Sequence, residues 1–283
     1  MKKLGLVLEG GGIRGAYTAG ALAWLYDQQI HFDYGVGISS GAIYLVLHWD
    51  NQKQLAYDLA TKYSIAPEIV GIKALLKEGH YVAYKRLFDY YLRGIGHFDG
   101  KNLVGKKAPL EVGCYVLDHG QTEYFPVDEE LQTVLGSASL PIAAKVIEYQ
   151  GLHLLDGGVT KMIPIERAIE QGCTHMVVIT TKAADYVRKP SSGLMQCLMK
   201  IVYRKYPQIA KDYAVRHLNY YKQRQLIDEY IKKGQVINVY PTVNVPVSRW
   251  KGSPEQAQQL YHLGYSDMEN RKEEIMTFLK EED

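Results

Sequence analysis

The sequence has few cysteines and no long apolar run. Its three cysteines, Cys114, Cys173 and Cys197, are widely separated and form no CxxC pair, so neither a disulfide framework nor a cysteine zinc site is indicated. No segment approaches the roughly 20 apolar residues of a membrane span, and the apolar run near the N-terminus is too short for the core of a secretion signal. We therefore expect a cytoplasmic protein, unless export follows a route that needs no N-terminal signal.

Strong charge of either sign is also missing. The net charge is +2 over 283 residues, whereas proteins that bind nucleic acid usually carry a concentrated basic patch and a higher isoelectric point. We therefore expect no nucleic-acid partner. Tyrosine, by contrast, is abundant, with 23 copies. An apolar ring with a polar tip suits both lipid interfaces and ordinary packing, so the composition leaves membrane contact open.

Short apolar runs alternate with helical patterns along the chain. Residues 4–8 and 34–38 have the composition of buried strands, and they precede segments 15–28 and 40–48, whose apolar residues have near-helical spacing. Two successive units of this kind predict a parallel sheet covered by helices. A further buried strand is predicted at 175–181. The expected fold class is α/β, with a mainly parallel central sheet flanked by helices.

A serine motif lies at the second predicted strand-to-helix junction. Gly37, Ser39 and Gly41 fit the pattern GxSxG. On such a turn a nucleophilic serine projects its hydroxyl above the sheet, and the glycines leave room for a strained backbone and an approaching substrate. Because five letters of this kind also arise by chance, it is the flanking strand and helix that make Ser39 a candidate nucleophile.

A glycine loop follows the first predicted strand and comprises Gly10, Gly11, Gly12, Ile13, Arg14 and Gly15. Successive backbone N–H groups can turn toward one point there, and the following helix adds its positive end, so the loop suits an oxyanion or a phosphate. It lacks the lysine of a P-loop and the glycine spacing of a dinucleotide site. From the loop alone, an oxyanion hole, a phosphate or nucleotide site and a simple tight turn all stay open.

A nucleophilic serine needs a base, which is usually a histidine. None of the nine histidines stands in a recognisable catalytic context. Asp156 stands in such a context, because it ends a predicted strand and precedes Gly157 and Gly158. A carboxylate within hydrogen-bond distance of a serine can act as the general base directly, although an Asp-Gly pair is also a common turn. No residue cluster with metal-ligand spacing accompanies these motifs, so we expect no metal and no other cofactor.

Together these motifs resemble the patatin-like phospholipase family. In that family a GGGxRG loop forms the oxyanion hole, GxSxG carries the nucleophile, and DGG or DGA supplies the aspartate of a Ser-Asp dyad. Residues 10–15, Ser39 and Asp156 match in that order and at similar spacing. Residues 136–141 look like the family's ASxAxP block, with glycine and serine replacing its two alanines. The neighbours of Ser39 depart from the more usual Thr and Ala, but no departure removes a catalytic group.

The resemblance covers about residues 1–181 and implies a three-layer sandwich related to the α/β-hydrolases. It also implies roles for the site residues: Ser39 and Asp156 are catalytic, Gly10, Gly11, Gly12, Arg14 and Gly15 form the oxyanion hole, Gly37 and Gly41 shape the nucleophile elbow, and Gly157 and Gly158 support the aspartate. We expect residues 1–181 to form a patatin-like catalytic core. Residues 182–283 are expected to supply its helical remainder, a C-terminal strand and a helical extension that resembles one in a bacterial subgroup.

The activity implied is hydrolysis of lipid or phospholipid acyl esters. A soluble carboxylesterase or thioesterase with the same dyad is one alternative, and a phosphate- or nucleotide-binding module, with Ser39 incidental, is another. Residues 194–206 mix apolar residues with Lys200, Arg204 and Lys205, a pattern that suits either the surface of an anionic bilayer or a core helix. An acyl-ester substrate and peripheral membrane contact are thus the expected partners, and the sequence does not indicate an oligomeric state.

Overall fold

The structure is a computed structural model that describes residues 2–106 and 108–280. One sheet contains eight strands among these residues. In chain order they are β1 (Leu4–Leu8), β2 (Tyr34–Gly37), β3 (Leu110–Val116), β4 (Gln121–Pro126), β5 (Ile147–Tyr149), β6 (Leu152–Asp156), β7 (His175–Ile179) and β8 (Val236–Val239).

The helices vary widely in length. In chain order they are α1 (Gly15–Asp27), α2 (Ser40–Trp49), α3 (Lys53–Asp58), α4 (Ile72–Glu78), α5 (Tyr84–Arg86), α6 (Gln132–Ala138), α7 (Ile165–Glu170), α8 (Gly193–Val202), α9 (Gln208–Lys232), α10 (Pro254–Asn270) and α11 (Lys272–Lys280). Between α2 and β3 the chain is irregular and includes two π-helical stretches, Leu59–Tyr63 and Leu87–Ile95. No helix in the described part of the chain is long and apolar enough to cross a membrane.

Five strands form the parallel part of the sheet, in the order β3-β2-β1-β7-β8. β4 forms an antiparallel hairpin with β3, while β5 and β6 form an antiparallel pair in which β6 also lies against β3. Strands of a parallel sheet are buried on both faces, which explains why β1 and β7 are short continuous apolar runs. The predicted mainly parallel sheet is therefore confirmed, and it carries an antiparallel edge.

Side chains of β1 alternate between two cores. Leu6 and Leu8 belong to the core that lies under α1, α2 and α10, whereas Val7 belongs to the core under α7 and α9. The period-two alternation of a strand distributes them in this way. Helices therefore cover both faces of the sheet, which confirms the expected three-layer α/β fold.

Helix α10 crosses α1 at very short range. A Cβ atom on Gly20 would lie 1.8 Å from the carbonyl oxygen of Tyr261, and one on Gly264 would lie 2.1 Å from that of Tyr17, so only glycine fits at this crossing. The hydroxyl of Tyr17 also donates a hydrogen bond to Asp267 at 3.0 Å. The C-terminal segment is thus packed directly on the first helix of the chain, while the predicted division after residue 181 stays a prediction.

Candidate active site

The register of β3 brings the ends of β2 and β6 together. On one side, β3 pairs along its length with β4. On the other side β2 pairs with it as far as Val112, and β6, which runs in the opposite direction, pairs with it from Cys114 onward. The carboxyl ends of β2 and β6 therefore meet at Gly113. Since Ser39 follows β2 and Asp156 ends β6, two residues that are far apart in sequence become neighbours.

Ser39 has an unfavourable backbone conformation. Its φ of 57° and ψ of −126° lie outside the regions that non-glycine residues readily occupy. A strained strand-to-helix turn of this kind exposes the nucleophile in α/β-hydrolases. The N–H of Ser39 donates to the Oγ of Ser137 at 3.0 Å, and that hydroxyl donates to the carbonyl of Gly113 at 2.7 Å. The turn is therefore held in place by α6 and β3.

Asp156 is buried beside Ser39. The N–H of Gly158 donates to its Oδ1 at 2.7 Å. Burial raises the pKa of Asp156 above its usual value, although the neighbouring Ser39 side chain, the N–H of Gly158 and the charges of Arg216 and Arg249 act to lower it. A carboxylate with a raised pKa beside a serine hydroxyl is a stronger base than an exposed one.

The glycine loop lies against Ser39. A Cβ atom on Gly10 would lie 3.0 Å from the Cβ of Ser39, and Gly12 has a φ of 60°, which favours glycine. The N–H of Gly11 donates to the Oγ of Ser40 at 2.9 Å, and that of Gly10 to a loop carbonyl at 3.1 Å. Within the described residues, the N–H groups of Gly12 and Ser40 have no acceptor. Two backbone donors beside Ser39 thus remain free for a ligand.

The other predicted site residues lie around this centre. Arg14 donates from Nε to the carbonyl of Val247 at 2.9 Å, so it braces the glycine loop against the C-terminal segment. The predicted glycines occupy the element ends next to it: Gly15 begins α1, Gly37 ends β2, Gly41 lies in the first turn of α2, and Gly157 and Gly158 form the turn after Asp156. The structure therefore brings every predicted site residue to one edge of the sheet.

A cavity of about 460 Å³ opens at this edge. Of the predicted residues, its lining includes Gly10, Gly11, Gly12, Arg14, Ser39, Asp156 and Gly158, and no histidine lines it. Among residues 2–106 and 108–280, no group of three or more His, Cys, Asp or Glu side chains is arranged to hold a metal ion. The arrangement can therefore present a serine hydroxyl, a carboxylate base and backbone N–H donors to one substrate.

Two residues that sequence reasoning did not single out hold the site together. One is Ser137, described above. The sequence marked residues 136–141 as a block that resembles the family, but it did not indicate the hydrogen bonds that Ser137 forms with Ser39 and Gly113. The other is Gln223 of α9, which is fully enclosed and accepts the N–H groups of Met162 and Ile163 at 3.0 Å each, while donating to the carbonyl of Thr160 at 3.1 Å. Gln223 thereby fixes the loop that follows Gly158, and nothing in the sequence marks it.

A buried ion pair lies directly behind the glycine loop. The carboxylate of Glu9, which has no exposed surface, accepts a hydrogen bond from the ammonium of Lys182. It also accepts from the N–H and the hydroxyl of Thr181, at 2.6 and 3.0 Å. Burial lowers the pKa of Lys182 to about 8, while the neighbouring Glu9 acts to raise it. The pair ties the end of β1 to the end of β7, immediately beside Gly10.

The part of the chain that carries these groups matches a known family. Residues 6–169 match the model of the patatin-like phospholipase family. The chain belongs to the patatin-like phospholipase family. Membership supports lipid acyl hydrolysis at the level of the family, because the match includes the glycine loop, Ser39 and Asp156.

A later segment of this patatin-like protein, residues 206–280, matches a second model, "Domain of unknown function (DUF6363)". The chain is also similar to the uncharacterized protein YjjU of Escherichia coli strain K12, with 26% identity over 194 residues, or 66% of this chain and 54% of YjjU. It therefore aligns with only about half of that relative. Among solved structures, VipD from Legionella pneumophila is similar with a TM-score of 0.44 and 12% identity, covering 99% of this chain and 67% of that one.

Proposed function

We propose that this patatin-like protein hydrolyses acyl esters of lipids, with Ser39 as the nucleophile and Asp156 as the general base. The observation that carries the proposal is a strained, buried Ser39 whose side chain lies beside the buried carboxylate of Asp156 and lowers its pKa. A serine hydroxyl is a weak nucleophile at neutral pH and is activated by an adjacent base. The free N–H groups of Gly12 and Ser40 add donors where negative charge would develop.

In the proposed reaction, Asp156 accepts the hydroxyl proton of Ser39 while the serine oxygen bonds to the ester carbonyl carbon. The free N–H groups of Gly12, in the glycine loop, and of Ser40, next to the nucleophile, donate to the resulting oxyanion. The ester C–O bond then breaks, the proton passes from Asp156 to the leaving alkoxide, and the acyl group stays on Ser39. Asp156 then takes a proton from water while the water oxygen bonds to the acyl carbon. The bond between this carbon and the serine oxygen breaks, the proton passes from Asp156 to the serine oxygen, and the carboxylic acid leaves.

A second, apolar cavity beside the first supports an acyl-chain site. It shares Gly12, Leu140 and Arg249 with the larger cavity, and aliphatic and aromatic side chains such as Ile43 and Val82 form its walls. Its volume is about 40 Å³, which is room for about three water-sized groups. We therefore expect short acyl chains to be preferred, because longer ones would have to displace the walls.

Turnover of a p-nitrophenyl ester series and of a labelled phospholipid in vesicles tests the proposed activity. We expect hydrolysis, with kcat/KM falling as the acyl chain of the soluble ester lengthens. A fluorophosphonate should label Ser39, as identified by peptide mass spectrometry, and should abolish turnover. A preference for the vesicle substrate would favour a phospholipase over a soluble carboxylesterase or thioesterase. A protein that is inert toward every ester and unlabelled would contradict the proposal and favour the phosphate- or nucleotide-binding alternative, which a thermal-shift screen with nucleotides detects.

The pH dependence of the reaction follows from the state of Asp156. As the general base it must be ionised, and burial raises its pKa, so activity should disappear on acidification at a pH above the value of about 3.9 at which an exposed Asp protonates. The charge of Arg249 lowers the pKa of Asp156, so Arg249→Gln should move the acidic limb to higher pH. Profiles of kcat/KM for a soluble ester measure both effects, and identical limbs in the two proteins would argue against Asp156 as the base.

The mouth of the larger cavity supports contact with a lipid surface. Ser191, Ser192 and Met195, at the start of α8, line the cavity. The outward side of α8 exposes Leu194 by 73% and Ile201 by 63%, while Met199 packs into the core. Lys200, Arg204 and Lys205 are exposed beside these apolar groups. Apolar side chains surrounded by basic ones are typical of helices that lie on anionic bilayers, so we propose an anionic bilayer as the partner of this surface.

Co-sedimentation with lipid vesicles tests this contact. We expect binding to anionic vesicles that weakens with salt, and a loss of about tenfold or more in partitioning for the double variant Leu194→Ser and Ile201→Ser, since each large apolar side chain can contribute about 1.5 kcal/mol or more when buried. Leu76→Ser is a matched control, because Leu76 is 82% exposed on α4 and is not among the residues that line this cavity. Loss of binding in the Leu76 variant, with the α8 variant unaffected, would contradict the proposed orientation.

A further inference from the structure

Basic side chains dominate the lining of the larger cavity. Six of them face it, against one carboxylate, that of Asp156. Two of the six are already engaged, since Lys182 pairs with Glu9 and Arg14 binds a backbone carbonyl, and Lys189 is exposed to solvent. The remaining three are Arg188, Arg216 and Arg249. Within residues 2–106 and 108–280, none of these three arginines forms an ion pair with a carboxylate.

Each of the three arginines lies over an aromatic ring instead. The guanidinium carbon of Arg188 is 5.2 Å from the ring centre of Tyr220, that of Arg216 is 4.5 Å from Tyr213, and that of Arg249 is 5.1 Å from Trp250. Stacking of this kind orients a guanidinium without neutralising its charge. The charge of each guanidinium therefore stays available to an anion.

Arg216 is the most enclosed of the three. It is 8% exposed, and its Nη2 donates to the carbonyl of Gly158 at 2.8 Å, whereas its Nε has no hydrogen-bond partner within the described chain. Burial and the like charges of Arg249 and Arg188 lower its pKa to about 10. A buried guanidinium that forms no direct ion pair is costly, and binding an anion would offset that cost.

The arginines lie close to the reacting groups proposed above. Arg216 contacts Gly158, which in turn binds the carboxylate of Asp156. The backbone carbonyl of Arg249 occupies the space where a Cβ on Gly12 would be, at 2.7 Å. Arg216 and Arg249 also belong to the segment 206–280, whose family has no assigned function. Residues 206–280 therefore complete the wall of a site whose serine and aspartate come from residues 6–169.

We propose that Arg188, Arg216 and Arg249 form an anion subsite for the phosphate group of the substrate, supplied mainly by the C-terminal segment. The inference rests on the proposed acyl-ester hydrolysis, because it assigns the polar end of the substrate to the cavity whose apolar neighbour takes the acyl chain. Guanidinium groups bind phosphate oxygens through paired, charge-assisted hydrogen bonds. The substrate class is then an acyl ester that also carries a phosphate, rather than a neutral glyceride.

Binding to a Ser39→Ala protein tests the subsite without turnover. Dihexanoyl phosphatidic acid and dihexanoyl glycerol share acyl chains and differ in the phosphate, so calorimetric titration with each gives a preference ratio. We expect the phosphatidic acid to bind at least about tenfold more tightly, and Arg188→Gln or Arg249→Gln, each added to Ser39→Ala, to reduce the ratio by about tenfold, the scale of one charged hydrogen bond. Lys222→Gln removes an exposed charge from the same helix as Arg216 and should leave the ratio as it was.

The results of these titrations decide between the possibilities. If inorganic phosphate competes with the phosphatidic acid, the subsite takes the phosphate group by itself; if it does not, and the preference persists, the intact headgroup is needed. Equal binding of the two lipids, or an unchanged ratio in folded Arg188 and Arg249 variants, would overturn the inference even where the wild type hydrolyses esters. A clear preference in a protein that hydrolyses nothing would keep the anion subsite and reject the hydrolase. If Arg249→Gln does not fold, Arg249→Lys is used instead; it keeps the charge but lacks the paired donors of the guanidinium.

Discussion

Substitution of Ser39 by alanine or of Asp156 by asparagine should lower kcat for a soluble ester by about 10³-fold or more. Losing the nucleophile removes the acyl-enzyme route, and losing the base leaves a neutral hydroxyl as the attacking group; knocking out either member of such a unit costs nearly as much as removing the whole. The double variant should therefore be about as slow as either single variant. Initial rates with a p-nitrophenyl ester, measured at saturating substrate, give the comparison.

The Tm of the Ser39 and Asp156 variants shows whether a loss of turnover comes from the missing catalytic group or from unfolding. Asp156→Asn keeps the shape of the side chain, and its amide oxygen can still accept the N–H of Gly158. Because burial disfavours the charged form of Asp156, a neutral side chain should not lower the Tm noticeably. Ser192→Ala is a control for the loss of a serine from the same cavity, since the Ser192 hydroxyl accepts the N–H of Met195 at the start of α8. A Ser39→Ala protein that keeps its turnover would reject the mechanism.

The sequence predicted the parallel part of the sheet and the position of each motif on it. Buried runs such as 4–8 and 175–181 are continuous and apolar because parallel strands are covered on both faces. Glycines mark where β1 and β2 turn into helices, so the glycine loop and Ser39 could be placed at one edge from local pattern alone. Asp156 was a candidate base from its position before two glycines at the end of a predicted strand, and the family resemblance then implied that it is the partner of Ser39.

The meeting of Ser39 and Asp156 could not be derived from local pattern. It depends on β3 pairing with β2 over its first half and with the oppositely directed β6 over its second half, and strand direction leaves no mark in a run as short as β6. The basic wall of the cavity was missed for a related reason. Arg216 lies on the long helix α9 and Arg249 in a loop after β8, so only the three-dimensional packing brings them to the serine.

The buried pair of Glu9 and Lys182 should dominate the stability of the site. Glu9→Gln leaves a buried ammonium without its counter-charge, and breaking such a pair from one side typically costs about 3–5 kcal/mol in the free energy of unfolding. Urea denaturation measures the loss. The matched control is Lys53→Gln, which breaks an ion pair with Asp27 whose partners are 35% and 32% exposed, and which should cost about 1 kcal/mol or less.

The pH dependence of the Glu9→Gln variant shows whether the cost is electrostatic. The pKa of Lys182 is already lowered to about 8 by burial, with Glu9 acting to raise it, so removing Glu9 should lower it further. The unfolded chain then binds the proton of Lys182 more tightly than the folded protein does. The free energy of unfolding should therefore rise as the pH increases from the pKa of Lys182 in the folded protein toward its value of about 10.4 in the unfolded chain. Adding Lys182→Met to Glu9→Gln should recover much of the loss and abolish this rise. A loss that is the same at pH 7 and pH 9 would instead point to the hydrogen bonds that Glu9 accepts from Thr181.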